Sequence, residues 1–273
     1  MSEHRWPEPG TRIHRALAQA GVASRRAAEI LVAEGRVSVN DTTALTGQSV
    51  GPGDVIRVDG RMVAPEPLRV LVLNKPAGVV STARDPEGRP TVLDALPRDV
   101  RLYPIGRLDI DTTGVLLITN DGDLANRLMH PRGKVPKIYE ALVDGRVSAE
   151  TVRRLRRGVE IEDGMTLPAR VEIMDRMHPG GTWLRIELTE GRNRIVKRMC
   201  LAVGHRVSRL RRIRFAGIEV GGLRPGEWRA ITPDELRQLR KVGGVDVPDG
   251  PLFTDTVDEP IRRPRSPHKR RAI

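Results

Sequence analysis

Four aliphatic residues, Val115 to Ile118, follow without a break on the polar segment Gly106-Arg107-Leu108-Asp109-Ile110-Asp111-Thr112-Thr113-Gly114 and lead into Asn120-Asp121-Gly122. A short branched apolar run bounded by turn residues reads as a buried strand, and Asn-Asp-Gly is a strong turn signal. Whatever the chain folds into must bury this strand and keep the polar segment ahead of it at the surface. Asp109 then sits on a loop braced by the core, accessible to a substrate yet firmly anchored. Two readings fit these residues. Either the carboxylates carry chemistry, or Asp111 and the threonines satisfy turn backbone while Asp109 pairs with Arg107 at the surface.

Charge narrows the choice of partner. Across 273 residues, 47 Lys and Arg against 35 Asp and Glu leave a formal charge of +12 and a pI near 10.9. Such basicity favours a polyanion, because each neutralised phosphate releases condensed counterions; acidic membranes and acidic proteins attract it by the same force. Aromatic residues make up 3% of the chain, which argues against a surface that grips single strands by base stacking. The single cysteine, Cys200, excludes a disulfide framework and a cysteine-rich zinc site, and its apolar neighbours predict a buried thiol. The six histidines are scattered without ligand spacing, so no metal is expected. Neither a phosphate-binding GxxxxGK[ST] loop nor a nucleophile elbow occurs. No apolar run reaches membrane-spanning length and the N-terminus lacks the apolar core of a secretory signal, so the expectation is a soluble, cytoplasmic protein.

The chain is expected to divide into a disordered stretch at 1–10, a small domain at 11–67, a larger one at 68–243 and a basic, disordered tail at 244–273. In the small domain, Ile13, Ala16, Leu17 and Ala20 recur at helical spacing up to Gly21. Ser24 then caps a second helix with Ala27, Ile30 and Leu31 on its apolar face, closing at Gly35. Arg12, Arg15, Arg25, Arg26 and Arg36 surround this helical pair, where acids are almost absent from Thr11 to Ala28. A solvated helix surface usually mixes both signs, so these arginines are candidate contacts to a polyanion. Pro65-Glu66-Pro67 marks the linker.

In the larger domain, strands are expected at Val70–Leu73, Ile138–Val143, Ala169–Ile173, Trp183–Leu188 and Val207–Arg214. Leu184, Ile186 and Leu188 alternate with Arg185 and Glu187, as in a half-buried antiparallel strand. Helices are expected after Thr91 up to Pro97, from Asp123, after Ser148, from Asn193 to Val203, and after Thr232, where Thr-Pro-Asp-Glu forms a capping box. Helix and strand signals are interspersed without a regular βαβ repeat, which predicts an α+β fold with a mixed, largely antiparallel sheet.

The segments Arg12–Ala18, Gly21–Ala28 and Gly35–Asn40 together resemble the S4 RNA-binding module, which implies recognition of RNA backbone by the helical pair. Four further blocks, Leu73–Val79, Gly106–Pro131, Lys137–Tyr139 and Glu190–Met199, resemble in their order the pseudouridine synthases that modify ribosomal RNA, in the branch carrying an N-terminal S4 module. The likeness spans roughly residues 11 to 240 and leans to the large-subunit rRNA subgroup, with the small-subunit subgroup a near neighbour. It implies a small S4 (αL-type) RNA-binding domain followed by a catalytic domain with a mixed, mainly antiparallel sheet. It also implies a cofactor-free enzyme, expected as a monomer, acting on a uridine of 23S rRNA.

The same resemblance implies Asp109 as the nucleophile, Arg107 as the residue that takes the place of the flipped nucleotide and contacts phosphate, Tyr139 as the ring that stacks on the target base, and Lys197 as the cation paired with Asp109. Arg192 and Arg194 are expected to hold backbone phosphate, with Lys75 and the 82–90 loop as further RNA contacts. Ile195 departs from the pattern, standing where the family commonly has glutamine. Asp111 and the two threonines are expected to shape the loop. Competing expectations are a noncatalytic RNA-binding or ribosome-assembly factor, a basic DNA-binding protein, and the same chemistry on 16S rRNA or tRNA.

Overall fold

A computed structural model of the chain describes residues 9–244; the expected disordered start, as far as residue 8, and the basic tail from 245 lie outside the described residues. Two compact units emerge, one reaching Leu68 and including Arg98–Arg101, the other holding Arg69–Pro97 and the chain from Leu102 onward.

The first unit runs β1 (Thr11–Arg12), α1 (Ile13–Gln19), α2 (Arg25–Ala33), β2 (Val37–Val39), β3 (Thr42–Thr43), β4 (Ser49–Val50), β5 (Ile56–Val58) and β6 (Arg61–Met62). Strands β3-β2-β5-β6 form one antiparallel sheet and β1 pairs with β4. Its core joins Ile13, Ala16 and Leu17 of α1 to Ala28 and Val32 of α2 and to Val37, Val39 and Ile56 of the sheet. The Ser24 hydroxyl accepts the Ala27 amide at 3.2 Å, as an N-cap does. The expected apolar face of α2 is corrected in one respect. Ala28 and Val32 point inward, whereas Ile30, about 200° around the helix from Ala28, is 57% exposed.

The second unit adds β7 (Val70–Lys75), β8 (Tyr103–Pro104), β9 (Thr113–Thr119), α3 (Gly122–Met129), β10 (Lys137–Asp144), α4 (Ala149–Arg157), β11 (Glu160–Ile161), β12 (Gly164–Met165), β13 (Arg170–Ile173), β14 (Gly181–Leu188), α5 (Ile195–Ala202), β15 (Val207–Phe215), β16 (Ile218–Glu219), β17 (Trp228–Ala230) and α6 (Pro233–Gly243). A nine-stranded sheet follows the order β13-β14-β10-β15-β9-β7-β17, with β16 on β15 and β8 on β9. Every pairing in it is antiparallel except β15 with β9. The expected α+β class with a mixed, mainly antiparallel sheet is what the chain adopts. β7 is buried along its whole length and β9 from Gly114 on, so both read as continuous apolar runs, while β14 at the sheet's other side alternates. Leu124 and Leu128 of α3 and Leu236 and Leu239 of α6 close over Val72, Val115 and Leu117.

Two expected elements differ. The segment after Thr91 is not a helix: the amides of Asp94 and Leu96 bond back three residues, to the carbonyls of Thr91 and Leu93, and the Asp94 carboxylate takes the Thr91 amide. Enclosed between Pro90 and Pro97, it is too short to offset the cost of helix nucleation. α5 begins at Ile195 rather than Asn193, because Arg194 adopts a left-handed conformation with φ 49° at the N-cap. Among the described residues, no helix is long and apolar enough to cross a membrane.

Candidate active site

The Asp109 loop is tied down from beneath before any charge faces it. Lys75, at the end of β7, is fully buried, and its ammonium donates to the carbonyl oxygens of Pro76 (3.0 Å), Asp109 (3.1 Å), Ile110 (3.3 Å) and Thr112 (2.9 Å). Burial pushes its pKa down to about 8 against the attraction of Asp111 and Asp109. The Ser81 hydroxyl bonds both the amide and the carbonyl of Leu108, and the Gly78 amide bonds the Ile110 carbonyl at 2.8 Å. The expectation that Lys75 contacts RNA is thereby corrected: its charge is spent inside the protein on the backbone of the loop.

β9 begins directly after this loop, and Gly114 in it has φ 104°. A Cβ there would overlap the carbonyl oxygen of Arg212, so glycine lets β15 come close enough for the parallel pairing. β10 lies on the other side of β15 and brings Tyr139, 8% exposed, to the same cleft. That cleft encloses about 350 Å³. Arg107, Asp109, Tyr139 and Arg194 line it, as do Lys137, Ile195 and Arg212.

From the first turn of α5, Lys197 reaches the loop. Its Nζ lies 2.6 and 2.7 Å from the two oxygens of Asp111 and 3.4 Å from Oδ2 of Asp109. Arg194 Nε stands 4.0 Å from the same Asp109 oxygen. Among the described residues these two cations, and not Arg107, come within ion-pair distance of Asp109, so the Arg107–Asp109 surface pair does not form. Burial works to raise the Asp111 carboxyl, but the hydrogen bonds and charge of Lys197 outweigh it and hold the group below the usual carboxylate range. Asp111 is therefore more than a shaper of the loop, since it is the tighter partner of Lys197.

The remaining arginines separate. Arg107 is exposed at the cleft. Arg192 is bound by Glu190, by Asp163 and by the carbonyls of Gly164 and Met165, so it braces the β11–β12 turn rather than presenting an open fork to phosphate. Arg36 is held bidentately by Asp59 and also by Glu34, which compete with any phosphate for it. Arg12 bonds the Gly47 carbonyl, Arg25 lies 3.1 Å from His14, and Arg26 is exposed on α2 beside Arg25. Loop 82–90 folds on itself through Asp85, which accepts from the Arg89 amide and guanidinium at 2.8 Å. Cys200 is buried and its thiol pushed up to about 12, which makes it inert.

Two cleft residues escaped the sequence reading. Lys137 faces the cleft because it lies two positions from Tyr139 on one strand, a period-two signal that was available. Arg212 belongs to a strand with several arginines, and only the pairing of β15 with β9 and β10 distinguishes the buried one from its exposed neighbours.

Comparison with known proteins identifies the family. Residues 69–202 match the RNA pseudouridylate synthase family and residues 11–56 the S4 domain. An uncharacterized RNA pseudouridine synthase of Aquifex aeolicus is 46% identical, over 86% of this chain and 95% of that protein. The ribosomal large subunit pseudouridine synthase B of Bacillus subtilis is 44% identical, over 84% of this chain and 95% of that protein. A pseudouridylate synthase crystal structure superposes with a TM-score of 0.61 at 26% identity, covering 84% of this chain and 99% of that one. The chain belongs to the RNA pseudouridine synthase family and is an S4-domain member of it.

Proposed function

We propose that this enzyme isomerises a specific uridine of large-subunit ribosomal RNA to pseudouridine, with Asp109 as the nucleophile. The observation that carries the reading is Asp109 itself, a carboxylate on a loop clamped by a buried lysine, 3.4 Å from Lys197 and sharing a cleft with Tyr139. Lys197 and Arg194 set two positive charges beside that half-buried carboxylate, 3.4 and 4.0 Å from its Oδ2. An anionic carboxylate is suited to meet the electron-poor sugar carbon as the base leaves its N-glycosidic bond, turns and is rejoined through carbon, and no cofactor is required. To reach it the uridine must leave its stack, with Tyr139 stacking on the flipped base and Arg107 filling the vacated place or gripping phosphate at the cleft mouth. The large subunit is favoured because relatives in Bacillus subtilis and Pseudomonas aeruginosa, 44% and 42% identical, carry the name ribosomal large subunit pseudouridine synthase B. Arg12, Arg15, Arg25 and Arg26 of the first unit supply backbone contacts.

Asp109→Asn keeps the shape of the side chain and removes its charge. It is expected to abolish pseudouridine formation while RNA affinity stays within roughly threefold, since only phosphate contacts dominate affinity. Retained isomerisation would remove Asp109 from the role. Pseudouridine mapping of rRNA with and without the gene tests the substrate: a missing site in the small subunit or in tRNA would reassign it.

A further inference from the structure

Arg212 is 3% exposed, yet it borders the cleft that Asp109 and Tyr139 line. Its Nε donates to the Val115 carbonyl at 2.9 Å, and its guanidinium carbon lies 4.7 Å from the centre of the Phe215 ring. Its Nη2 is buried and has no hydrogen-bond partner. Arginine does not discharge in proteins, so this is a permanent charge with an unused donor in a place where desolvation is costly.

Lys137 compounds the cost. Its Nζ donates to the Val135 carbonyl at 2.8 Å and lies 5.7 Å from the same Phe215 ring. Burial first, and the charge of Arg212 second, push its pKa down to about 8, against a weaker pull from Glu190. Two cations thus share one wall of the cleft, and among the described residues neither makes an ion pair with a carboxylate. A paired or ligand-bound anion is what makes such an arrangement tolerable.

The other walls indicate which anion. Leu210, Ile195, Val196 and Phe215 give this part of the cleft an apolar lining suited to a flat, weakly hydrated ring. Phosphate, strongly hydrated, has Arg107 and the 60%-exposed Arg194 to meet it nearer solvent. We propose that Arg212, assisted by Lys137, binds the carbonyl edge of the target uracil and stabilises the negative charge the base carries while it is detached from the ribose. The proposal rests on the isomerase chemistry and not on which carboxylate attacks. When the C1′–N1 bond breaks, its electron pair leaves with the base and spreads over N1, O2 and O4. The deficit at C1′ is met by the nucleophile. The charge is consumed when C5 supplies the pair for the new bond to C1′ and displaces that nucleophile; C5 then gives up its proton and N1 gains one, leaving neutral pseudouridine.

The test varies the departing base. Single-turnover loss of the N-glycoside is measured on an RNA carrying uridine at the target and on the same RNA carrying 5-fluorouridine, whose electron-poor base leaves with less help. Arg212→Gln is expected to slow the uridine reaction by roughly 100-fold and the fluorinated one by no more than about 10-fold, as loss of one donor to a developing anion does. RNA affinity is expected to hold within about threefold, because phosphate contacts set it. Equal losses on the two substrates, unchanged turnover, or a loss of affinity as large as the loss of rate would each overturn the proposal. Arg212→Lys keeps a cation and offers the same comparison should the glutamine variant not fold; it is expected to retain more of the uridine rate than Arg212→Gln does. Should Asp109→Asn remain active, the identity of the nucleophile would change, while the uridine to fluorouridine ratio of the Arg212 variants would still be read.

Discussion

Lys197 divides its attention unequally, 2.6 and 2.7 Å from Asp111 but 3.4 Å from Asp109. The division suits a nucleophile. In the role proposed for Asp109, a close charge-assisted bond would tie up the lone pairs that must attack, whereas a cation one step away leaves them available. Asp111 takes the tight bonds and fixes the ammonium in place. The half-buried Lys137 makes a prediction about pH. Lys137 is pushed from 10.5 down to about 8 in the folded protein. Between those values the unfolded chain holds a proton that the folded one has released, so the cost of burying this charge is lifted and stability rises with pH across that window. Against Lys137→Met, the wild-type unfolding free energy is therefore expected to gain from pH 8 to pH 10 in urea titrations; parallel curves would mean its pKa is not depressed. At this scale the sequence reveals types and neighbours in the chain, so Asp109, Tyr139 and Lys197 stood out by motif. Burial of a charge does not show in a one-dimensional pattern, which is why Lys75 passed for an RNA contact and Arg212 was not singled out within its strand.

The site is completed by pairing between elements distant in the chain. β9 carries the Asp109 loop, β10 carries Tyr139, and β15 lies between them. Gly114 is where β9 and β15 touch most closely, with φ 104° and no room for a Cβ beneath the Arg212 carbonyl. Gly114→Ala is expected to cost about 2–4 kcal/mol, from left-handed strain and the forced separation of the strands. It is also expected to lower turnover by roughly 100-fold, since a displacement of an ångström at a reacting centre is enough for that. Denaturant unfolding and single-turnover rates check the two effects separately. Full stability in Gly114→Ala would show that the strands tolerate separation there. Local elements were the legible ones. The Thr232 hydroxyl takes the Glu235 amide while the Glu235 carboxylate takes the Thr232 amide, the reciprocal cap that Thr-Pro-Asp-Glu spelled out. Period-two alternation likewise announced β14. By contrast, the parallel register of Arg211 on Thr113 and Arg212 on Gly114 joins segments too far apart for any local signal, and Arg194, as an arginine, does not announce the left-handed conformation it adopts. Propensity decides short-range structure, while these two features come from tertiary packing.

For the molecule as a whole, the count of 47 lysines and arginines overstates the cations an RNA meets. Arg36 is neutralised by Asp59, Arg153 by Glu150, Arg89 by Asp85 and Arg229 by Glu235, so those cations add little outward field. Arg26 on α2, Arg154 and Arg157 on α4, and Arg209 and Arg211 on β15 are exposed, and among the described residues they make no ion pair within 4.0 Å. Affinity should follow these unpaired charges rather than the total. For Arg26→Gln, the expected result is a shallower plot of log K against log salt, its slope reduced by about 0.9, the equivalent of one phosphate contact. Arg36→Gln, which first loses an internal partner, is expected to change the slope by less than half as much. Turnover at saturating RNA should be the same in both variants, because neither residue lines the cleft that holds Asp109. Filter binding across a salt series gives the slopes, and single-turnover assays at saturating RNA give the rates. A fall in rate with an unchanged slope would place Arg26 in the chemistry instead of in the grip on RNA. Equal slope changes in the two variants would mean that internal ion pairs yield to phosphate at no cost, and the full count of basic residues would then be the right measure after all.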